Sequence, residues 1–352
     1  PQRLSSLPTE TQTNVPSKHL PELQALERTL ELGARHLQTK VLHEVATPTG
    51  AVLPIYSIGL GNPSPDVPAI GFFGGVHGLE RIGAEVVIAF LHNLVMRLQW
   101  DTTLHRQLES VRLLFMPIVN PGGMLMGTRA NPRGVDLMRN APVEAVDKVP
   151  FLVGGQRIGP GLPWYRGKAG DAMETENELL CAEVRTELLS RSFSMALDCH
   201  SGFGASDRIW FPYAHTRQPI SHLAEMQALK DVFLQTYNHH AYVFEPQSLQ
   251  YLTHGDLWDH LYLESCRNEG RVFLPLTLEM GSWLWIRKNP RQMFSLKGIF
   301  NPLIAHRQHR VLRRHLSLLD FLSRAACSHT LWTPSPETRA TVHAEALQQW
   351  YS

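Results

Sequence analysis

The chain has 352 residues, 43% of them hydrophobic, which is enough for one large α/β domain with a sizeable core and excludes bulk disorder. A formal net charge of +1 gives no electrostatic case for nucleic acid or an anionic membrane as partner. The four cysteines, Cys181, Cys199, Cys266 and Cys327, are not in C-x-x-C spacing and do not resemble a disulfide framework, so they suggest no cysteine zinc site, and a reducing, cytoplasmic compartment is expected.

Residues 1–20 are polar and read as an extended arm. The chain opens at Pro1 with no signal-peptide pattern, and no apolar run reaches transmembrane length. Leu23, Leu26, Leu30 and Leu37 predict a helix from residue 21. Residues 41–45 and 51–58 read as strands around a Pro48-Thr49-Gly50 turn. The run Ala69-Ile70-Gly71-Phe72-Phe73 predicts a short buried strand, broken by Gly74 and Gly75. A helix follows over residues 82–98, with Ile82, Val86, Val87, Phe90, Leu91, Leu94 and Val95 at helical spacing. Residues 111–116 form the next predicted strand, which leads into an Asn120-Pro121-Gly122-Gly123 turn.

Residues 128–140 read as a polar loop carrying Arg129, Arg133 and Arg139, a set suited either to carboxylate recognition or to a solvated loop. Residues 153–170 are irregular, and 174–189 helical. The strand at 194–198 runs into Cys199-His200-Ser201-Gly202, and alternation puts Asp198 and His200 on one side of it. Helices are predicted at 221–237 and 257–265, with a loop containing Tyr251 between them. The apolar strand 272–279 ends in Glu279, an acid that is costly there unless a site uses it. Residues 303–326 make an amphipathic helix whose Arg307, Arg310, Arg313, Arg314 and Arg324 read as a solvated face. The polar stretch from residue 331 is expected to be a C-terminal tail that either caps a single domain spanning 21–330 or wanders from it.

The chemistry concentrates at strand exits, where open α/β sheets bind ligands. His77 and Glu80 lie three residues apart at one such exit, and His200 sits at another. Imidazole and carboxylate are what a catalytic zinc accepts, although the first pair taken alone is equally a loop histidine and a helix-start glutamate.

Taken in order, these pieces resemble the zinc carboxypeptidase family over residues 68–285. His77-Gly78-Leu79-Glu80 looks like the family's His-x-x-Glu motif, and Asn120-Pro121-Gly122-Gly123 is similar to its Asn-Pro-Asp-Gly turn. Thr128-Arg129-Ala130-Asn131 and Gly134-Val135-Asp136-Leu137-Met138-Arg139-Asn140 resemble its two arginine segments. Tyr165-Arg166-Gly167 with Glu174-Thr175-Glu176, then His200-Ser201, Tyr251 and Leu278-Glu279 follow in the family's order. The resemblance implies a three-layer α/β/α domain with a mixed, mostly parallel twisted sheet. It also implies one zinc ion held by His77, Glu80 and His200 with a fourth position open, and a hydrolase acting on a peptide or small amide that carries a carboxylate. In that reading Asp136 orients His77, Glu279 is the general base, Arg129 stabilises the oxyanion, Arg139 grips the substrate carboxylate, and Tyr251 closes over the substrate.

Three departures mark a divergent, bacterial-type member. Met138 stands where the family usually has asparagine, and a thioether cannot replace amide donors. Leu79 replaces a common arginine, and the loop around Asp256 is a residue short. Two other readings stay open: an N-acyl amino acid deacylase of the succinylglutamate desuccinylase or aspartoacylase type, and a zinc-binding scaffold without chemistry.

Overall fold

The computed structural model describes residues 20–48, 50–202 and 204–352. The arm expected over residues 1–20 lies outside these apart from Leu20, and so does Thr49 of the first turn.

A helix, α1 (Pro21–Gly33), precedes an antiparallel pair, β1 (Gln38–Ala46) and β2 (Val52–Gly61). The wholly buried β3 (Ala69–Gly74) leads through the His77 loop into α2 (Arg81–Arg97). Then come α3 (Thr102–Glu109), β4 (Arg112–Met116), α4 (Pro121–Met126) and, after a long irregular stretch, α5 (Thr175–Val184). The second half contributes β5 (Phe193–Gly202), β6 (Arg208–Phe211), α6 (Leu223–Thr236), β7 (Val243–Pro246), α7 (Leu257–Ser265) and β8 (Val272–Gly281). Two short helices, α8 (Trp283–Ile286) and α9 (Leu296–Phe300), precede α10 (Ala305–Cys327), α11 (His329–Trp332) and α12 (Pro336–Tyr351).

The eight strands form one sheet in the order β1-β2-β4-β3-β5-β8-β6-β7. Its centre, β4-β3-β5-β8, is parallel, and antiparallel partners flank it on both sides. The expected mixed, mostly parallel sheet is therefore present. Its layering follows from two adjacent residues. Successive side chains on a strand point to opposite faces. Phe72 packs edge-on against Phe90 of α2, with ring centroids 5.1 Å apart, whereas Phe73 meets Trp258 of α7 at 5.0 Å. Helices thus cover both faces, and β3 is sealed between them, as an unbroken apolar strand requires.

Several short elements escape the sequence reading. α3 spans one apolar pair, Leu104 and Leu108, and is started by Asp101, whose carboxylate accepts from Thr103 N and Leu104 N at 3.0 and 3.1 Å. β6 and β7 have four residues each, too few for alternation to register. The Asn-Pro-Gly-Gly segment is the start of α4 rather than a simple turn, with Asn120 Oδ1 accepting from Gly123 N at 2.8 Å.

The largest difference is at the C-terminus. The stretch expected to be a tail that caps the domain or wanders contains the docked helix α12, with Ala346 and Trp350 buried. Trp350 packs on Phe211 at 4.9 Å and donates to Phe244 O at 2.8 Å, and Arg339 pairs with Glu225 of α6 at 2.7 Å. The polar residues that suggested a tail are the outer side of this helix. Among the described residues no single helix is long and apolar enough to cross a membrane.

Candidate active site

Three predicted donors converge at the C-terminal ends of β3 and β5. Gly75, at φ 61°, turns the chain out of β3. Gly78 then passes so close to the Gly123 backbone that a Cβ would overlap it, which lets the loop bring His77 and Glu80 inward. Asn120 Nδ2 donates to Val76 O at 3.2 Å, tying this loop to α4. From the far end of the chain Asn301 donates to Leu79 O at 2.8 Å and accepts from Ile82 N at 2.9 Å, fixing the backbone on both sides of Glu80.

The donor atoms crowd together. His77 Nδ1 lies 3.0 Å from Glu80 Oε1, His200 Nδ1 lies 3.0 Å from Glu80 Oε2, and the two Nδ1 atoms are 3.2 Å apart. The opposite ring nitrogens face carboxylates: His77 Nε2 is 3.1 Å from Asp136 Oδ1, and His200 Nε2 is 2.7 Å from Asp198 Oδ2. Donation to those acids puts the proton on each Nε2 and leaves both Nδ1 lone pairs aimed at each other and at a carboxylate. Three acceptors at that spacing repel unless a cation lies between them. Ligands of a tetrahedral zinc, at about 2.0–2.1 Å, stand about 3.3 Å from one another, close to what is found. His77, Glu80 and His200 are all buried, and they form a group that could hold one zinc ion.

The charge around this point favours a dication. Glu80, Asp136, Asp198 and Glu279 crowd the site, and Arg129 bridges two of them, Nη1 to Glu80 Oε1 at 3.1 Å and Nε to Asp136 Oδ2 at 2.8 Å. Burial disfavours an ionised Asp136, but Arg129 and His77 outweigh it and hold the carboxyl well below its usual range. Asp198 also accepts from Trp258 Nε1 at 2.9 Å, so it is held while it holds His200. Sequence alternation set Asp198 beside His200 but did not assign it this part. Nothing in the sequence flagged Asn301, which lies 219 positions beyond the backbone N–H it accepts.

The remaining predicted residues line one small cleft beside the donors. Glu279 is the register partner of His200 on the adjacent parallel strand. Its carboxylate leans over Gly202, where a Cβ would overlap Oε1. Burial and the neighbouring Glu80 charge push the Glu279 carboxyl up to about 8, against the pull of His200 and Arg129. Arg129, Arg139, Tyr251, Met138 and Asp256 share the cleft wall. Arg139 is buried, donating from Nε to Val153 O and from Nη1 to Met138 O, both at 3.0 Å. Tyr251 stands edge-on to Trp210 at 6.2 Å. Asp256 caps α7 through Asp259 N at 2.9 Å, and its other oxygen has no partner among the described residues. Of the three loop arginines, Arg133 does not line the cleft: it is largely exposed and pairs with Glu174 at 3.5 Å.

Fold and site together define an α/β protein with a buried group of two histidines and a glutamate that could hold one metal ion. A profile of the zinc carboxypeptidase family matches residues 46–270, more than half of the chain, and the chain belongs to that family. The matched span holds all three donors and ends before Glu279. The fold is similar to that of bovine thrombin-activatable fibrinolysis inhibitor, solved in complex with tick carboxypeptidase inhibitor, at TM-score 0.64 and 15% identity over 88% of this chain and 97% of that one. Carboxypeptidase A from Helicoverpa armigera gives TM-score 0.59 at 15% identity over 86% of this chain and 71% of the other. A plant relative, carboxypeptidase SOL1 of Arabidopsis thaliana, is 33% identical over 75 residues, which span 21% of this chain and only 15% of the relative.

Proposed function

We propose that this protein is a zinc-dependent carboxypeptidase whose chemistry is carried by Glu279 beside the His77, Glu80 and His200 donors. The observation that carries this reading is the backbone register that sets Glu279 against His200, next to an acceptor cluster that calls for a cation. Zinc held there supplies a Lewis acid and makes water acidic near neutral pH. Glu279 takes the proton of the attacking water and returns it to the leaving amine. Its raised pKa suits both halves of that task, because a base that holds its proton only loosely, or too tightly, cannot do both. Arg129 offers a fixed positive charge to the oxygen that becomes negative. Arg139 receives the substrate's terminal carboxylate with the guanidinium N–H groups not engaged by Val153 O and Met138 O. Met138 contributes apolar wall there and no donor, so Arg139 carries that recognition with less help than an asparagine neighbour would give. Tyr251 closes the mouth of the cleft.

The test is a substrate panel on zinc-loaded protein: dipeptides with free C-termini, the same dipeptides amidated, and N-acyl amino acids. Hydrolysis of the free-acid peptides, with the amides left intact, is expected. Turnover confined to N-acyl amino acids assigns a deacylase instead, and no turnover of any of them with zinc bound assigns a scaffold.

A further inference from the structure

The arginines of α10 do not all form the solvated face that the sequence suggests. Arg307 turns in to donate to Trp285 O at 3.2 Å and to Lys288 O at 3.1 Å, and Arg314 pairs with Asp207 at 3.0 Å while lying over the Tyr242 ring. Arg307 thereby ties the start of α10 to α8 and the turn after it. Between the two helices is a cavity of about 310 Å³ that shares no lining residue with the cleft beside Glu279.

The cavity combines two features. Leu284, Trp285 and Val311 give it an apolar side. Arg287, Lys288 and Arg310 also line it, and none of these three has an ion-pair partner among the described residues. Unpaired cations and an apolar wall in one concavity of this size match a small-molecule site. The single acid in the lining, Asp207, is already engaged by Arg314 and by Gly281 N at 3.0 Å, so it does not neutralise the other cations.

We propose that this cavity binds a small organic anion: a phosphate or carboxylate head among Arg287, Lys288 and Arg310, and an aromatic or aliphatic body against Leu284 and Val311. The head is held by charge-assisted hydrogen bonds, and the body by burial of apolar surface. The small extent of the basic lining and the chain's near-neutral net charge do not suit nucleic acid, which needs an extended basic track.

Titration calorimetry on the zinc-loaded full chain tests this with three probes: phenyl phosphate, inorganic phosphate and benzyl alcohol. Phenyl phosphate is expected to bind one per cavity, about tenfold or more tighter than either fragment. The double variant K288A/R310A changes two exposed side chains and so leaves the fold intact, and it should weaken phenyl phosphate about tenfold or more. Affinity for phenyl phosphate unchanged in K288A/R310A overturns the proposal, because the anion then sits elsewhere, the zinc site included. Equal binding of benzyl alcohol, or no saturable binding of phenyl phosphate up to millimolar concentration, overturns it as well.

Discussion

His200 and Glu279 are direct register partners on β5 and β8, two neighbouring parallel strands of the sheet centre. Side chains in register on adjacent strands share a face and stand about 4.8 Å apart at the backbone. The spacing between a metal donor and the acid beside it is therefore set by ladder hydrogen bonds rather than by loops. That rigidity suits a proton transfer whose distance has to be held within a narrow range.

Glu279→Gln keeps the shape of the side chain and removes the carboxylate proposed as the base. Turnover of a free-acid dipeptide should fall by about 10²–10⁴, while zinc content stays at the wild-type level. Steady-state kinetics with metal analysis on the same sample checks this. A rate within a few-fold of wild type removes Glu279 from the mechanism.

The acids behind the histidines should act on the metal. Asp198 sits 2.7 Å from His200 Nε2 and sets which ring nitrogen carries the proton. Asp198→Asn should weaken zinc binding about 10–100-fold, the usual effect of losing such a partner. Competition against a chelator of known affinity measures it, and unchanged affinity would mean that the rest of the site orients His200 by itself.

The pH dependence follows from the same surroundings. Burial and Glu80 raise Glu279 from the ordinary 4.5 to about 8, and a bound dication pulls it back down. The base must be ionised, so a raised pKa means that activity is lost as pH falls through it. The acid limb of kcat/KM is expected between these two values. A limb at or below 4.5 would show that the burial of Glu279 is offset completely.

The C-terminal helix should be part of the folding unit. Trp350 is buried against Phe211 and bonded to Phe244 O. Trp350→Ala should cost about 3–5 kcal/mol by urea denaturation, as large aromatic truncations in cores do. A loss below about 1 kcal/mol would mean that α12 contributes little.

Much of this could be read from the residues. The long apolar runs of β3, β5 and β8, together with the helical spacing of α2, carry enough periodicity to reveal the sheet centre. The donors sit at their exits, and order along the chain did the rest. What escaped has physical reasons. β6 and β7 are four residues long, and α3 is anchored by one apolar pair. α12 shows mostly its polar side in sequence, and only the fold supplies the surface that buries Trp350. Asn301 acts on the Glu80 loop across more than 200 residues, a contact that no local pattern encodes. The arginines of α10 look alike in sequence, and only distant partners, the Trp285 and Lys288 carbonyls for Arg307 and Asp207 for Arg314, separate these two from exposed Arg313.

The most direct test is zinc content after dialysis, for the wild-type chain and for His200→Ala. One zinc per wild-type chain is expected, with almost none in the variant. If the variant retains zinc at the wild-type level, His200 is not a donor and the site assembled at the ends of β3 and β5 is not the metal centre.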